Sequence, residues 1–557
     1  MRGNRLCCFI SRKGRADASE SGVWEALVRG RFPFLAVILP LTALVLGLVE
    51  ASLRWRMQHD SPLMLYAGFL MDRYGFVPYR DFFDMNMPGT HLFYYLLGHF
   101  LGYTDRAFRF ADIAYLAAIS GVTWALLKDF SRRAALAGVA LFVYYYLLKG
   151  QFMSLQREYL LLLPIGLAAL LATSLPAMNE VLRWALMGFL AGVSFLVKPH
   201  SLIGLVVILV YRVYRLRSRG SRGLQANLLP CAAGLLAGMA LPVGCVFFWL
   251  ARANALPQFM EIAVNYWPLY GQLSGAHQPI TGPDRATYLL TGFLRLGNNW
   301  LIALYGLAGG GFALLATKGN AELRARTLML GGLACAFAIY PLLAGKFWSY
   351  HWLPFCYSSL LVGSLVFLRT DESIRGPVGP ALYLLALFSL MLCVALPAPQ
   401  AARELFRSIR HVPLPPPKGG RVDAIADFLR REMRPGDTVQ PLDWTGGAVH
   451  AMLLARAKIA TNFIYDFHFY HHVSSPYIQS LRRRFLSQME LARPRFIVEI
   501  TGPDKPWPSG ADTTRNFPGL REYLRKHYRV VQAEERLEYV IYERRGEHST
   551  APVSAEP

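Results

Sequence analysis

Apolar runs long enough to cross a membrane recur along most of this chain, and a run of that kind leaves its backbone very few viable conformations. A hydrocarbon core about 30 Å thick takes about 20 helical residues. Inside it every N–H and C=O must find a partner within the protein, which an α-helix supplies from its own segment. Phe32 to Leu53 is such a run, preceded by Arg29 and Arg31. Others extend from Phe108 to Leu127, Ala134 to Leu148, Tyr159 to Leu175, Trp184 to Val197, Leu202 to Val213 and Leu228 to Leu250. Four more follow, from Trp300 to Ala316, Leu328 to Leu343, Trp352 to Leu368 and Val378 to Leu396. Together they predict about eleven transmembrane helices. A charged content of only 17% in 557 residues and a mean hydropathy of +0.29 place the chain in the same class.

The net charge of +22 does not mark a nucleic-acid binder, because the basic residues fall in short clusters between apolar runs rather than in a stripe interleaved with aromatics. Alternate connections carry them: Arg2 to Arg15; Lys128, Arg132 and Arg133; Arg212 to Arg222; Lys318, Arg324 and Arg326; Arg369 and Arg375. Basic loops stay in the cytoplasm, so the N-terminus is predicted there and the intervening loops on the opposite side. An odd number of spans puts the C-terminus on that outer side as well. Five of the seven cysteines lie in apolar segments, Cys7 and Cys8 lie in the basic tail, and none follows Arg403. Neither a disulfide framework nor a structural zinc site is expected.

From Pro413 the composition changes to a Pro/Gly stretch and then to mixed charged and apolar sequence. The predicted organisation is a cytoplasmic tail over 1–31, a transmembrane domain over 32–397 with its first outer loop at 54–107, and a linker over 398–420. A small extracytoplasmic α/β domain follows over 421–545, then a disordered polar tail over 546–557. Within the α/β domain, Asp423 to Met433 has helical spacing, while Thr438 to Leu442, Phe496 to Ile500 and Tyr539 to Tyr542 read as strands. Two motifs there carry little chemistry. The histidines of Asp466-Phe-His468-Phe-Tyr-His471-His472 match no standard metal spacing and read as surface residues. Arg482-Arg483-Arg484 reads as a solvated helix face.

Chemistry-bearing residues concentrate in the first outer loop. It reads His59-Asp60-Ser-Pro-Leu-Met-Leu-Tyr66 and, further on, Gly75-Phe-Val-Pro-Tyr79-Arg80-Asp81-Phe-Phe-Asp84-Met-Asn86-Met-Pro88-Gly89. Two readings stand for its acids. Asp60 caps the following helix and Asp81 or Asp84 pairs with Arg80, or the carboxylates serve a reaction. The same duality holds for Arg157 with Glu158, for Lys198 and Lys346 at helix ends, and for His351 among aromatics.

The ordered set of motifs resembles the GT-C glycosyltransferases, and most nearly the bacterial branch related to protein O-mannosyltransferases and lipid A aminoarabinose transferases. The resemblance runs through the first outer loop, Gln156-Arg157-Glu158-Tyr159, Lys198-Pro199-His200 and Lys346-Phe-Trp-Ser-Tyr350-His351-Trp-Leu-Pro354, and reaches to about Arg369. It implies a sugar donor on a polyprenyl phosphate, a bacterial inner membrane, and an acid of the first outer loop as general base. Asp60 occupies the position of that base, but the family's usual Asp-Glu pair is Asp60-Ser61 here, which leaves Asp60 and Asp84 as alternatives. Asp81 is a third catalytic candidate. Donor phosphate would meet Arg157, Lys198, His200, Lys346, Tyr350 and His351. Glu158, Tyr79, Arg80 and Asn86 would orient the acceptor, which is a cell-envelope glycan, lipid or protein. Membrane lipids are the other expected partners, and a divalent metal ion is left open.

The chemistry itself asks for these residue types. A sugar C1 bonded to phosphate already has a good leaving group, so catalysis needs a base for the incoming hydroxyl and cations for the departing phosphate. A transporter or flippase of lipid-linked sugars is the alternative. Coupled transport normally places ionisable groups at mid-membrane, whereas here they gather at one end of the spans.

Overall fold

The computed structural model describes residues 32–174, 177–218, 224–368, 377–502, 510 and 512–546. Residues 1–31, predicted as a cytoplasmic tail, the basic residues Arg219, Arg222, Arg369 and Arg375, and the residues beyond 546 lie outside them.

The described residues of the membrane part are mainly helical. Its helices are α1 (Phe32–Ser52), α2 (Ser61–Tyr74), α3 (Pro88–Leu101), α4 (Asp105–Leu127), α5 (Arg132–Leu148), α6 (Leu162–Thr173), α7 (Glu180–Val197), α8 (Leu202–Ser218), α9 (Leu224–Arg252), α10 (Gly282–Leu294), α11 (Trp300–Ala316), α12 (Ala321–Ala344), α13 (Leu353–Ser364), α14 (Val378–Ala395) and α15 (Ala398–Ile409). Each of the eleven predicted apolar runs coincides with a helix. Among the described residues seven helices are long and apolar enough to cross a membrane, or eight counting α10 and α11, which meet at a 74° bend, as one span. The remaining three predicted spans, α5, α6 and α13, have 17, 12 and 12 residues. Short helical turns lengthen two of them, Arg157–Leu160 before α6, and Ser349–Trp352 and Leu365–Phe367 flanking α13.

Several of the stretches singled out in the sequence are brought together at one cavity. Helix α2 carries Pro62 in its first turn and stops at Gly75, whose left-handed backbone (φ 66°) bonds back to Leu70 and Met71. Helix α3 begins against the end of α7, where a Cβ added to Gly89 would lie 2.6 Å from the Leu196 carbonyl oxygen. That close approach brings Asn86 and Met87 up to Lys198.

The C-terminal domain is a five-stranded sheet of order β2-β1-β3-β5-β4, formed by β1 (Thr438–Leu442), β2 (Lys458–Ile459), β3 (Phe496–Ile500), β4 (Tyr528–Glu534) and β5 (Tyr539–Arg544). Strands β1, β2 and β3 are parallel, and β5 pairs antiparallel with β3 and β4. Helices α16 (Arg421–Glu432), α17 (Ala448–Ala455), α18 (Pro476–Ala492) and α19 (Pro518–His527) accompany it. The predicted helix and three predicted strands are present, while β4 and the two-residue β2 were not anticipated. Residues 398–409, expected as linker, instead form α15, which packs on α1; Ser408 Oγ bonds both Glu50 and Arg54.

Two surface expectations are corrected. His468, His471 and His472 are buried, because the domain seats them against the outer loops: the His468 ring packs on Phe83 and Tyr266, and His471 Nε2 meets the Tyr266 hydroxyl at 2.9 Å. Arg482 is buried as well, donating Nε to the Phe469 carbonyl (2.8 Å) and lying over the Phe517 ring.

Candidate active site

A cavity of about 320 Å³ opens on the face from which the C-terminal domain projects, and its lining includes Asn86, Arg157, Lys198, His200, Lys346, Tyr350 and His351. Four separate stretches of chain therefore meet there. Trp267, Tyr270 and Trp348 complete an aromatic wall. Trp267 and Tyr270 are carried by helical turns that follow a π-helical insertion at Ile262–Tyr266, a deformation that re-aims the side chains following it. No carboxylate lines the cavity among the described residues, so its electrostatic character suits an anion.

Asp60 lies just behind this wall. It occupies the N-cap position of α2 but makes no side-chain capping bond. Its carboxylate instead accepts Arg157 Nη2 on Oδ2 (2.8 Å), and His59 Nδ1 lies 2.9 Å from Oδ1. Burial alone would raise the Asp60 pKa; His59 first, and then Arg157 and Lys198, outweigh it and hold the carboxyl well below the usual carboxylate range. Arg157 uses its other terminal nitrogen on Asn86 Oδ1. The loop before Arg157 is fixed from several sides. Leu155 adopts a positive φ of 49°, Tyr94 donates to its carbonyl (2.6 Å) and Ser61 to the Ser154 carbonyl (3.1 Å). Below it, Asp112 accepts from Arg109 and from Tyr146.

Glu158 is fully buried and collects Lys198 Nζ (3.3 Å), His351 Nε2 (3.3 Å) and the Tyr340 hydroxyl (3.2 Å) on a single oxygen. It thereby orients two cavity-lining groups rather than facing the cavity itself. His351 Nδ1 lies 2.8 Å from the Lys346 carbonyl, so both ring nitrogens face acceptors. Lys346 is 2% exposed and donates to the carbonyls of Tyr270 and Leu273, each at 2.9 Å, beneath the Tyr270 ring. Burial, reinforced by Arg285 and Lys198, pushes its pKa down to about 7.

The remaining candidates divide. Asp84 is 1% exposed, accepts the Asn86 N–H and side-chain amide on Oδ1 (2.6 and 2.7 Å), and stands outside the cavity lining. Tyr79 is buried beneath it and donates to the Asn86 carbonyl at 2.6 Å. Arg80 and Asp81 are not brought to the site. They pair with each other (2.7 Å), Arg80 reaches the Ala253 carbonyl, and Asp81 closes a turn by accepting the Val77 N–H. Among the described residues no group of three or more His, Cys, Asp or Glu side chains is arranged to hold a metal ion. The aromatic wall was missed in the sequence, although Asn265-Tyr-Trp-Pro-Leu-Tyr270 is an aromatic cluster in an outer loop of the kind that signals it.

A helical bundle spanning the membrane, capped on one face by a small α/β domain with the polar site beneath, is the architecture of a GT-C-like membrane protein, and this chain has that fold. Among the solved structures it is similar to are those of ArnT from Cupriavidus metallidurans. The structure bound to undecaprenyl phosphate matches with a TM-score of 0.55 and 13% identity, over 91% of this chain and 98% of that one. The apo structure matches with 0.54 and 15% identity, over 91% and 97%. No family model matches the sequence, and no curated protein matches it significantly.

Proposed function

We propose that the protein is a membrane glycosyltransferase that moves a sugar from a polyprenyl-phosphate donor to an acceptor on the outer side of a bacterial inner membrane. The observation that carries this reading is the cavity itself, a pocket lined by cations and aromatics, with two carboxylates bonded behind its cations, Asp60 to Arg157 and Glu158 to Lys198. The similarity in fold to a structure that holds undecaprenyl phosphate supports it.

In this reading Arg157, Lys198 and Lys346 receive the donor phosphate, and Tyr350, His200 and His351 border it. Asp60 takes the proton of the acceptor hydroxyl as its oxygen forms a bond to C1. The C1–O bond breaks on the opposite face, and the electron pair leaves with the polyprenyl phosphate, so the configuration inverts. The low basicity of Asp60 follows from the cations beside it. A phosphate that engages Arg157 and Lys198 competes for them, weakens their hold on Asp60 and raises its basicity when donor is in place. Asp84 orients Asn86 from behind and is a supporting group rather than the base. The C-terminal domain contributes to acceptor choice.

The test is sugar transfer from a synthetic polyprenyl-phosphate donor by purified full-length protein. Asp60→Asn is expected to lower the rate by roughly 10²–10⁴-fold, the usual scale of general-base catalysis, with undecaprenyl phosphate still bound. Parental turnover in Asp60→Asn removes the base assignment, and proteoliposomes that translocate the lipid-linked sugar without transferring it make the protein a flippase.

A further inference from the structure

Asp84 is a buried carboxylate whose only basic neighbour among the described residues is His91, at 3.6 Å. One of its oxygens is occupied by Asn86, and the other accepts the hydroxyl of Tyr465 at 3.1 Å. Tyr465 belongs to the C-terminal domain and is itself buried, so water does not compete for this bond. Asn86 can sit in only one orientation, since its amide donates to Asp84 while its oxygen accepts from Arg157. Arg157 in turn holds Asp60 at 2.8 Å. An unbroken chain of hydrogen bonds thus runs Tyr465, Asp84, Asn86, Arg157, Asp60.

We infer that Tyr465 is a positioning residue for the reaction, fixing Arg157 and Asp60 through Asp84 and Asn86, so that seating of the C-terminal domain sets the geometry of the site. The domain grips the same few residues by other means. The Phe83 N–H donates to the Asn462 carbonyl (2.7 Å), the Phe83 ring packs against Phe463 and His468, and Tyr66 donates to the Ala457 carbonyl (2.8 Å). A buried network of this kind transmits a displacement because each member has a single satisfied arrangement. An acceptor that shifts the domain would therefore alter turnover without touching the donor. This inference rests on the reading of Asp60 as the base.

The experiment is a double-mutant cycle in the full-length enzyme with Tyr465→Phe, Asp84→Asn and both together, following kcat and donor KM. Tyr465→Phe removes one oxygen from a bond to a carboxylate and is expected to lower kcat about tenfold, with donor KM changed far less. Adding it to Asp84→Asn is expected to cost nothing more, because the two act in series. Parental kcat in Tyr465→Phe, or losses that multiply in the double variant, overturns the relay. Should Tyr465→Phe not fold, Asn86→Ala breaks the chain one link on and carries the same expectation against Asp84→Asn. If the parental protein transfers no sugar at all, the reading of the site fails, and the relay is judged by an experimental structure of Tyr465→Phe. A displaced Asn86 amide supports it and an unmoved Asn86–Arg157–Asp60 arrangement overturns it.

Discussion

Replacing Lys346 by Met separates what this residue does for the fold from what it does for the ligand. An ammonium has three donors; two are used on the carbonyls of Tyr270 and Leu273, and no carboxylate lies within ion-pair distance among the described residues. One N–H is left on a side chain that lines the cavity. A charge-assisted bond from it to phosphate is worth about 1.5–3 kcal/mol, so Lys346→Met should weaken undecaprenyl phosphate binding roughly tenfold to hundredfold. The fold should gain or lose little, since Met fills a similar volume and removes a buried charge, while leaving two carbonyls to find other partners. The pH dependence has a definite sign. The folded value of about 7 lies below an unfolded value of about 10.4. Between them the unfolded chain binds the extra proton, and stability of the ligand-free protein rises with pH through that window. Phosphate binding favours the ammonium, so the contribution of Lys346 to affinity is greatest below pH 7 and falls above it by up to about tenfold per pH unit. Titrating undecaprenyl phosphate against parental and variant protein from pH 6 to pH 9, by native mass spectrometry or ligand-induced thermal shift, measures both effects. Equal affinities for the two proteins at pH 6, or parallel pH profiles, refute the role given to Lys346.

Glu158→Gln leaves Lys198 and His351 without their shared carboxylate and is expected to destabilise the protein by about 3–5 kcal/mol, read as a lowered melting temperature in detergent. Gly89→Val drives a side chain into the Leu196 carbonyl, where the added Cβ alone lies at 2.6 Å; activity should fall with α3 displaced from α7, and parental activity counts against the close approach. Asp105 accepts Arg56 Nε (2.8 Å), the Met57 N–H (2.8 Å) and His450 Nε2 (3.1 Å), tying the C-terminal domain to the first outer loop. Asp105→Asn should speed proteolysis between residues 410 and 420, and an unchanged cleavage rate argues against that tie. Arg80→Ala removes an exposed pair away from the cavity and should leave transfer within about twofold and stability within about 0.5 kcal/mol of parental; a large loss of activity would bring Arg80 back to the site.

What the sequence determined by itself is whatever depends on segment length and residue order. Apolar runs of helical length mark the bundle, because an unpaired backbone group in hydrocarbon has no other remedy. The motifs around Asp60, Arg157, Lys198 and Lys346 pointed to reaction chemistry only as an ordered set that resembles a known family, since each alone reads equally well as a cap, an ion pair or a span-end lysine. Tertiary structure decided which of them meet. Asp60 was readable as a helix cap until its carboxylate was found turned to Arg157, and Asp81 and Asp84, three residues apart, go to a surface turn and to a buried network respectively. The histidines around His468 and the guanidinium of Arg482 looked like surface groups, since nothing in local sequence tells that a domain far along the chain will fold down on residues 83–86. Local pattern fixes a segment's conformation through bonds a few residues apart. Which distant side chains share a buried carboxylate depends on packing that closes over hundreds of residues.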